Sequence, residues 1–431
     1  MLNQIINTDL KLESIEEIKR LNSNTNLNVY KYPLKDLSYL KTYTIDDVDS
    51  LEIDDAISLE RIDNYYKLWI HIASPVAYIE YNSAVDKCAR KLISTTYLSN
   101  NIIYMFPEVL INQLFSITNK EKRASLSMGV IFNNDGSVSS FEIVQSLIKS
   151  NYQLSYDDAD ELIEYAPKEE EDLSIISKLL ETRKNLRKKS GAKEILESYG
   201  KIIVKDNIPN IKVIDQTISR ILISEAMILY GDLIANYTKT NNIPVPYRVQ
   251  ECKTRASNNQ KINSDNQILY NFLLKKSMGK TFYSVQPLIH YSLGLDCYLQ
   301  ATSPIRRYSD LLVHYQISRF LNDKTLISKE EIEKNIIIIN NIGRQNINRY
   351  REDQKSCLNK WFMNNTTKKY KVVLLNWINR YKNISIVYFT EYNISSICHL
   401  RAKIEINIGD VIIINNITHD YNDMLYFEMN S

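Results

Sequence analysis

The sequence predicts an α+β chain with a strand-rich front, a helical middle and a small β-barrel at the end. Three observations carry this. Between residues 41 and 150 the apolar runs are short, β-prone and bounded by turn residues. From residue 156 to 361 apolar residues recur at helical spacing. After residue 369 the pattern returns to about five short strands, the content of a small OB-like barrel. A length of 431 residues accommodates two or three domains. We place a short extension at 1–40, a mixed domain at 41–363 and the barrel at 366–431.

Taken in order, the extension holds a short helix over 15–21 and an Asn-rich connector over 22–28. Lys67-Leu-Trp-Ile-His-Ile-Ala73 is apolar enough for a buried strand. Asn133-Asn-Asp-Gly136 joins two β-prone runs, 128–132 and 138–148, as a hairpin turn. Arg183-Lys-Asn-Leu-Arg-Lys-Lys189 follows an acidic start, Glu169-Glu-Glu-Asp172, and precedes Gly191. That order complements a helix dipole and supplies a C-terminal glycine, so the structural reading is favoured; an RNA contact stays open. Ile218, Leu222, Glu225, Leu229 and Leu233 share one face of a long helix. A glutamate on such a stripe needs a partner, and Arg248 is the expected one. His71 and His314 read as structural. The barrel strands are expected at 370–375, 384–389, 411–417 and 424–427.

Composition excludes several function classes. With 53 Lys+Arg against 51 Asp+Glu, the formal charge of +2 announces no global nucleic-acid field, so such a partner must be argued locally. Nine glycines leave no Gly-rich phosphate cradle. The five cysteines are scattered without a CxxC pair, which excludes a zinc ribbon and a disulfide framework and favours a reducing, cytoplasmic setting. The first twenty residues contain no apolar signal core, and no run approaches the ~18 residues of a membrane span, so no membrane partner is expected.

Two constellations carry chemistry. Residues 46–55 hold six carboxylates (Asp46, Asp47, Asp49, Glu52, Asp54, Asp55) and no base, flanked by β-prone residues. Anions packed this densely beside core strands repel one another unless a cation compensates, and hard oxygen ligands suit Mg²⁺ or Mn²⁺. A solvated acidic loop is the alternative; an EF-hand fails for want of its glycine and terminal glutamate. In Ala301-Thr-Ser-Pro-Ile-Arg-Arg-Tyr-Ser-Asp310, Ser303 reads as N-cap and Pro304 as the first helical residue. Arg306 and Arg307 then fall in the first turn, where the dipole disfavours cations by roughly 0.3–1 kcal/mol, so an anion such as phosphate is expected nearby. Ion pairs to a neighbouring helix are the alternative.

Together these stretches resemble the RNB catalytic domain of the ribonuclease II / ribonuclease R family. The matching residues are Thr44-Ile-Asp46, Glu52-Ile-Asp-Asp-Ala56, Trp69-Ile-His-Ile-Ala73, Thr95-Thr-Tyr-Leu98, Met105-Phe-Pro107, Arg123-Ala-Ser-Leu126, Lys188-Lys-Ser-Gly-Ala192, residues 219–236, Pro246-Tyr-Arg248 and Thr302-Ser-Pro-Ile-Arg-Arg-Tyr-Ser-Asp310. They run in family order over roughly 40–360. Asn407-Ile-Gly-Asp-Val411 in the tail resembles the S1 domain that follows RNB in this family.

The resemblance implies a mixed sheet packed with helices around an RNA channel, followed by an S1-like barrel. It implies a Mg²⁺-dependent 3′→5′ exoribonuclease (Mn²⁺ being the alternative ion) that releases nucleoside 5′-monophosphates from single-stranded RNA. It makes Asp46, Glu52, Asp54 and Asp55 the metal ligands, with Glu52 standing where relatives have aspartate. Asp54, Arg306 and Arg307 are implied as catalytic. Tyr97, Arg306, Tyr247, Arg248 and Glu352 are implied as RNA contacts, Tyr97 by stacking on the 3′-terminal base. Ser74 replaces the aspartate of a family motif. The front is too short for the two cold-shock domains that relatives carry, so we expect shorter processive runs or an accessory RNA-binding protein. A monomer is expected. The rival class is a catalytically weak RNA-binding scaffold.

Overall fold

The computed structural model describes residues 8–23, 30–119, 121–195, 197–253, 266–365, 368–401, 405–419 and 425–429. Helix α1 (Thr8–Ser23) contains the expected helix and extends beyond it at both ends; most of the Asn-rich connector, 24–28, lies outside the described residues. The front strands are β1 (Lys35–Asp36), β2 (Thr42–Asp46), β3 (Asp55–Ile62), β4 (Tyr65–Ala73), β5 (Thr96–Leu98), β6 (Asn101–Ile103), β7 (Arg123–Phe132), β8 (Val138–Ile148) and β9 (Tyr152–Ser155). Seven of them form one mixed sheet in the order β1-β8-β7-β4-β3-β2-β9. Its middle is antiparallel, and β1 and β9 join in parallel. Asn133–Gly136 closes the β7–β8 hairpin as expected, with Gly136 at φ +85°.

Both faces of this sheet are covered, which is why β4 reads as a continuous apolar run rather than an alternation. Leu68, Ile70 and Ile72 face one core with α3 (Tyr156–Tyr165), α4 (Asp172–Lys189) and α5 (Ile218–Thr240). Trp69 and Ala73 face a second core, built with α2 (Ala84–Leu92), α7 (Tyr308–Leu321) and α8 (Lys329–Asn364). Helix α6 (Gln267–Ser277) lies between α5 and α7 in the chain. A left-handed Gly191 (φ +98°) follows the end of α4, matching the expected C-terminal glycine.

The buried partner of Glu225 is Arg187, not Arg248. Arg187 Nη2 and Nε donate to the two carboxylate oxygens at 2.6 and 3.0 Å. One turn earlier Arg183 donates to Asp232 at 2.7 Å. The packing of α4 on α5 decides this, because the two arginines face the α5 stripe, whereas Arg248 sits on a separate two-stranded ladder. Two of the five bases in the run, Arg183 and Arg187, are therefore spent inside the fold.

The remaining strands are β10 (Tyr199–Lys205), β11 (Ile208–Ile214), β12 (Tyr247–Cys252), β13 (Met278–Ser284), β14 (Lys369–Asn379), β15 (Ile384–Phe389), β16 (Ile394–Arg401), β17 (Val411–His419) and β18 (Leu425–Met429). The last five close a barrel in the order β14-β15-β16-β18-β17, as the tail predicts; Met424, at the start of an expected strand, lies outside the described residues. The end of α8 completes the barrel core, with the Phe362 ring 4.8 Å from Phe389 and 5.3 Å from Phe427. Among the described residues no disulfide forms, and no helix is long and apolar enough to cross a membrane.

Candidate active site

Antiparallel β2 and β3 bring the ends of the acidic run together, because β2 ends on Asp46 and β3 begins on Asp55. One oxygen of each, Oδ2, is buried without any hydrogen-bond partner. Burial raises both carboxyls well above the carboxylate range, and repulsion from Asp54 adds to this in each case. Asp54, 1 % exposed, is differently placed. Its Oδ1 accepts the Ile305 N–H at 3.0 Å and its Oδ2 accepts Arg306 Nε at 2.8 Å. Asp47 and Asp49 point outward; Asp47 is held by Arg220 at 2.8 Å and Lys201 at 3.4 Å.

The arginine motif departs from its expected form. Helix α7 begins at Tyr308 with Arg307 as N-cap, four residues later than the Ser303–Pro304 signal suggests. Asp310 is the cause. Its Oδ2 accepts the Ser303 N–H at 2.9 Å together with Arg307 Nε at 2.9 Å and Nη2 at 2.6 Å. These bonds fold 303–307 into a turn ahead of the helix, with Ser303 O accepting from Arg306 N and Arg307 N. Arg307 is thereby committed to Asp310, and Arg306 alone faces the acids, its Nη2 donating to Ser303 Oγ at 3.0 Å. Burial lowers and Asp54 raises the Arg306 pKa, and the sum keeps it charged.

A short strand runs beside this turn. Ile93 O accepts Tyr308 N at 2.8 Å and Arg306 O accepts Thr95 N at 3.1 Å. Ile93 is a β-branched residue at φ +66°, a conformation that costs on the order of 1–3 kcal/mol and persists because both of its peptide groups are bonded. Farther along, Tyr97 is 43 % exposed. Its hydroxyl donates to Glu52 Oε2, and Thr95 Oγ1 donates to Glu52 Oε1 at 2.7 Å. Burial pushes the Glu52 carboxyl up to about 7.

The four expected metal ligands are thus divided. Asp46 and Asp55 share the site, Asp54 is clamped by Arg306, and Glu52 turns to Thr95 and Tyr97. Among the described residues no three His, Cys, Asp or Glu side chains already form a ligand cluster. Two buried carboxylate oxygens without partners and with raised pKa nevertheless fit a hard divalent cation, which supplies the missing counter-charge.

The other three expected RNA contacts take the following places in the fold. Tyr247 is 3 % exposed, with its hydroxyl 3.1 Å from Thr238 Oγ1, and presents no face for stacking. Arg248 lies over the Tyr283 ring at 4.5 Å and donates to Thr281 Oγ1, on the Asp310 side of the network. Glu352 is exposed on α8; the neighbouring Asp353 is the one that reaches the Tyr97 hairpin, accepting from Ser99 N at 2.8 Å and Oγ at 2.6 Å. Ser74 is buried at the end of β4, its N–H bonded to Ala124 O at 3.0 Å. Thr95 and Arg220 fall within the matching stretches without an assigned role, and no local pattern distinguishes Asp353.

An uncharacterized ribonuclease of Synechocystis sp. is 31 % identical over 361 residues, 83 % of this chain and 54 % of that protein. The chloroplastic/mitochondrial ribonuclease II of Arabidopsis thaliana is 33 % identical over 312 residues, 69 % of this chain and 38 % of its own length. The chain spans about half the length of the curated relatives it matches. In fold it resembles Mycoplasma genitalium RNase R in complex with ribose-methylated single-stranded RNA, with TM-score 0.83 at 20 % identity over 97 % of this chain and 78 % of that one. Yeast Ssd1, a pseudonuclease, aligns at TM-score 0.67 and 18 % identity over 92 % of this chain and 56 % of its own. The RNB domain itself matches residues 34–323, which takes in the acidic run, the Tyr97 strand and the arginine turn, and the chain belongs to the RNB domain family.

Proposed function

We propose that this chain is a Mg²⁺-dependent 3′→5′ exoribonuclease that hydrolyses single-stranded RNA to nucleoside 5′-monophosphates, with Mn²⁺ as an alternative ion. The observation that carries the reading is the half-buried Asp46–Asp55 pair, with its two buried, unbonded oxygens, set beside Arg306. A cation held by that pair supplies Lewis acidity and a water of lowered pKa. The chain's own residues do the rest. Asp54 holds Arg306 in place through a charge-assisted bond, and the guanidinium, 39 % exposed, is presented to a phosphate. Tyr97 offers an open ring to the terminal base, a sequence-tolerant contact. The ribonuclease names of the relatives and the RNA bound to the M. genitalium enzyme support the same class of substrate.

A second reading, a catalytically weak RNA-binding protein, draws on the engagement of both Asp54 oxygens and on the withdrawal of Glu52. The deciding assay uses 5′-labelled oligo(A) with Mg²⁺, with EDTA and Asp54→Asn as controls. Release of mononucleotides in the wild type, lost in EDTA and reduced on the order of 100-fold or more in Asp54→Asn, is the expected result. RNA that is bound but uncleaved by wild type and variant alike identifies the second reading.

A further inference from the structure

We infer that Glu52 is a positioning residue for the Tyr97 ring and not a ligand of the cation. The inference rests on the reading above, in which Tyr97 stacks on the 3′-terminal base. Its basis is the use of both carboxylate oxygens. Oε1 accepts Thr95 Oγ1 at 2.7 Å and Oε2 accepts the Tyr97 hydroxyl. Thr95 Oγ1 also accepts the Met105 N–H at 3.0 Å, which leaves its one hydroxyl hydrogen for Glu52. Thr95 N in turn donates to Arg306 O at 3.1 Å, so the strand that carries Tyr97 is tied to the arginine turn. Glu52 is 8 % exposed and lies where solvent does not compete for these bonds.

The consequence is mechanical. A tyrosine ring moves about two torsions; an anchor on the hydroxyl, at its far end, restrains the first, and the preference of the phenolic O–H for the ring plane biases the second. Tyr97 is 43 % exposed, so one face stays open while the anchor points inward. A ring fixed before binding stacks at lower entropic cost than one that must be ordered by the RNA. The side-chain length matters too: an aspartate, one methylene shorter, reaches less far toward the two hydroxyls. Glutamate at this position therefore exchanges cation contact for control of the RNA end.

The test separates the two roles. Mg²⁺ binding is measured by calorimetry without RNA. Stacking is measured in EDTA from the quenching and affinity of an oligo(A) ending in 3′-2-aminopurine. Variants are Glu52→Gln, Tyr97→Phe, their double and Tyr97→Ala, each checked for folding by its melting curve. Glu52→Gln and Tyr97→Phe should each weaken RNA binding about 3- to 10-fold and reduce quenching, and the double should be no weaker than the worse single. Glu52→Gln should bind Mg²⁺ as the wild type does. A tenfold loss of Mg²⁺ affinity, or additive effects on RNA, overturns the inference. If Tyr97→Ala abolishes quenching while Glu52→Gln leaves it intact, the stacking reading stands and only the role of Glu52 falls. If Tyr97→Ala changes nothing, the stacking reading fails and takes the inference with it.

Discussion

Asp46 and Asp55 make the local fold less stable than it would be without their charges. Each buries an oxygen that nothing in the chain bonds, and burial drives each carboxyl upward in pKa. A carboxyl raised in the folded state contributes stability only below its unfolded value and loses it as pH rises, so at neutral pH the pair is a cost. Asp55→Asn is therefore expected to stabilise the metal-free protein by about 0.5–2 kcal/mol, as neutralised active-site charges commonly do. The same variant should lose most of the rise in melting temperature that Mg²⁺ gives the wild type. Thermal melts with and without Mg²⁺ check both statements, and a less stable Asp55→Asn with an undiminished Mg²⁺ shift would contradict them. The acids and Arg306 are legible in the sequence because six carboxylates without a base, and two adjacent arginines after Ser-Pro, are hard to account for as surface. Their division of labour is not legible. Which oxygen is bonded depends on Thr95, 43 residues from Glu52, and on Ile305, 251 residues from Asp54.

At the scale of elements, the sheet contains a buried polar ladder that locks its register. Thr42 Oγ1 meets Ser58 Oγ at 2.8 Å, Ser58 Oγ meets His71 Nε2 at 3.0 Å and His71 Nδ1 meets Ser127 Oγ at 2.6 Å. Ser127 and Ser125 continue it to Ser146, so the ladder crosses β2, β3, β4, β7 and β8. A slip of one residue in any strand would turn these groups into an aliphatic layer and leave them unbonded. His71 is structural, as expected, and burial lowers its pKa to about 3. The unfolded chain takes up the proton first, at about 6.5, so the contribution of His71 is present above that value and is lost as pH falls toward about 3. The unfolding free energy of wild type relative to His71→Gln should fall by up to about 1.4 kcal/mol per pH unit between roughly pH 6 and 4, by urea titration. A constant difference would mean that His71 is protonated in the fold. Strand type was legible here because apolar runs and turn residues are local signals. The start of α7 was not: Ser303-Pro304 is a sound local helix signal, overridden when Asp310 captures the Ser303 N–H and the Arg307 guanidinium. The stripe on α5 announced that Glu225 needed a partner, but only the packing of α4 could name Arg187.

Across the whole molecule, α8 makes the barrel and the seven-stranded sheet interdependent. Ile332, Ile336 and Ile339 near its start belong to the core over the second sheet face, and Leu358, Trp361 and Phe362 near its end belong to the barrel core. Between them Asn346, Asp353 and Gln354 bond to the segment that carries Tyr97. The β10–β11 hairpin makes a second bridge, with Gly200 N bonded to Asn393 O at 3.0 Å and Lys201 paired with Asp47 at 3.4 Å. A side chain at 200 would stand 2.3 Å from Tyr392 O, so only glycine permits that approach. The barrel is thus no separate bead: it covers the end of a helix that also holds the strand carrying Tyr97. Removing residues 366–431 would return Leu358, Trp361 and Phe362 to water, at about 1.5–3 kcal/mol of lost burial for each of these large side chains. The expected outcome is a lower melting temperature for the remaining domain itself, increased binding of a hydrophobic dye, and weaker quenching of 3′-2-aminopurine RNA as α8 frays beneath Tyr97. A truncated chain that melts at the wild-type temperature and still quenches the probe would show that α8 needs no barrel to hold its place.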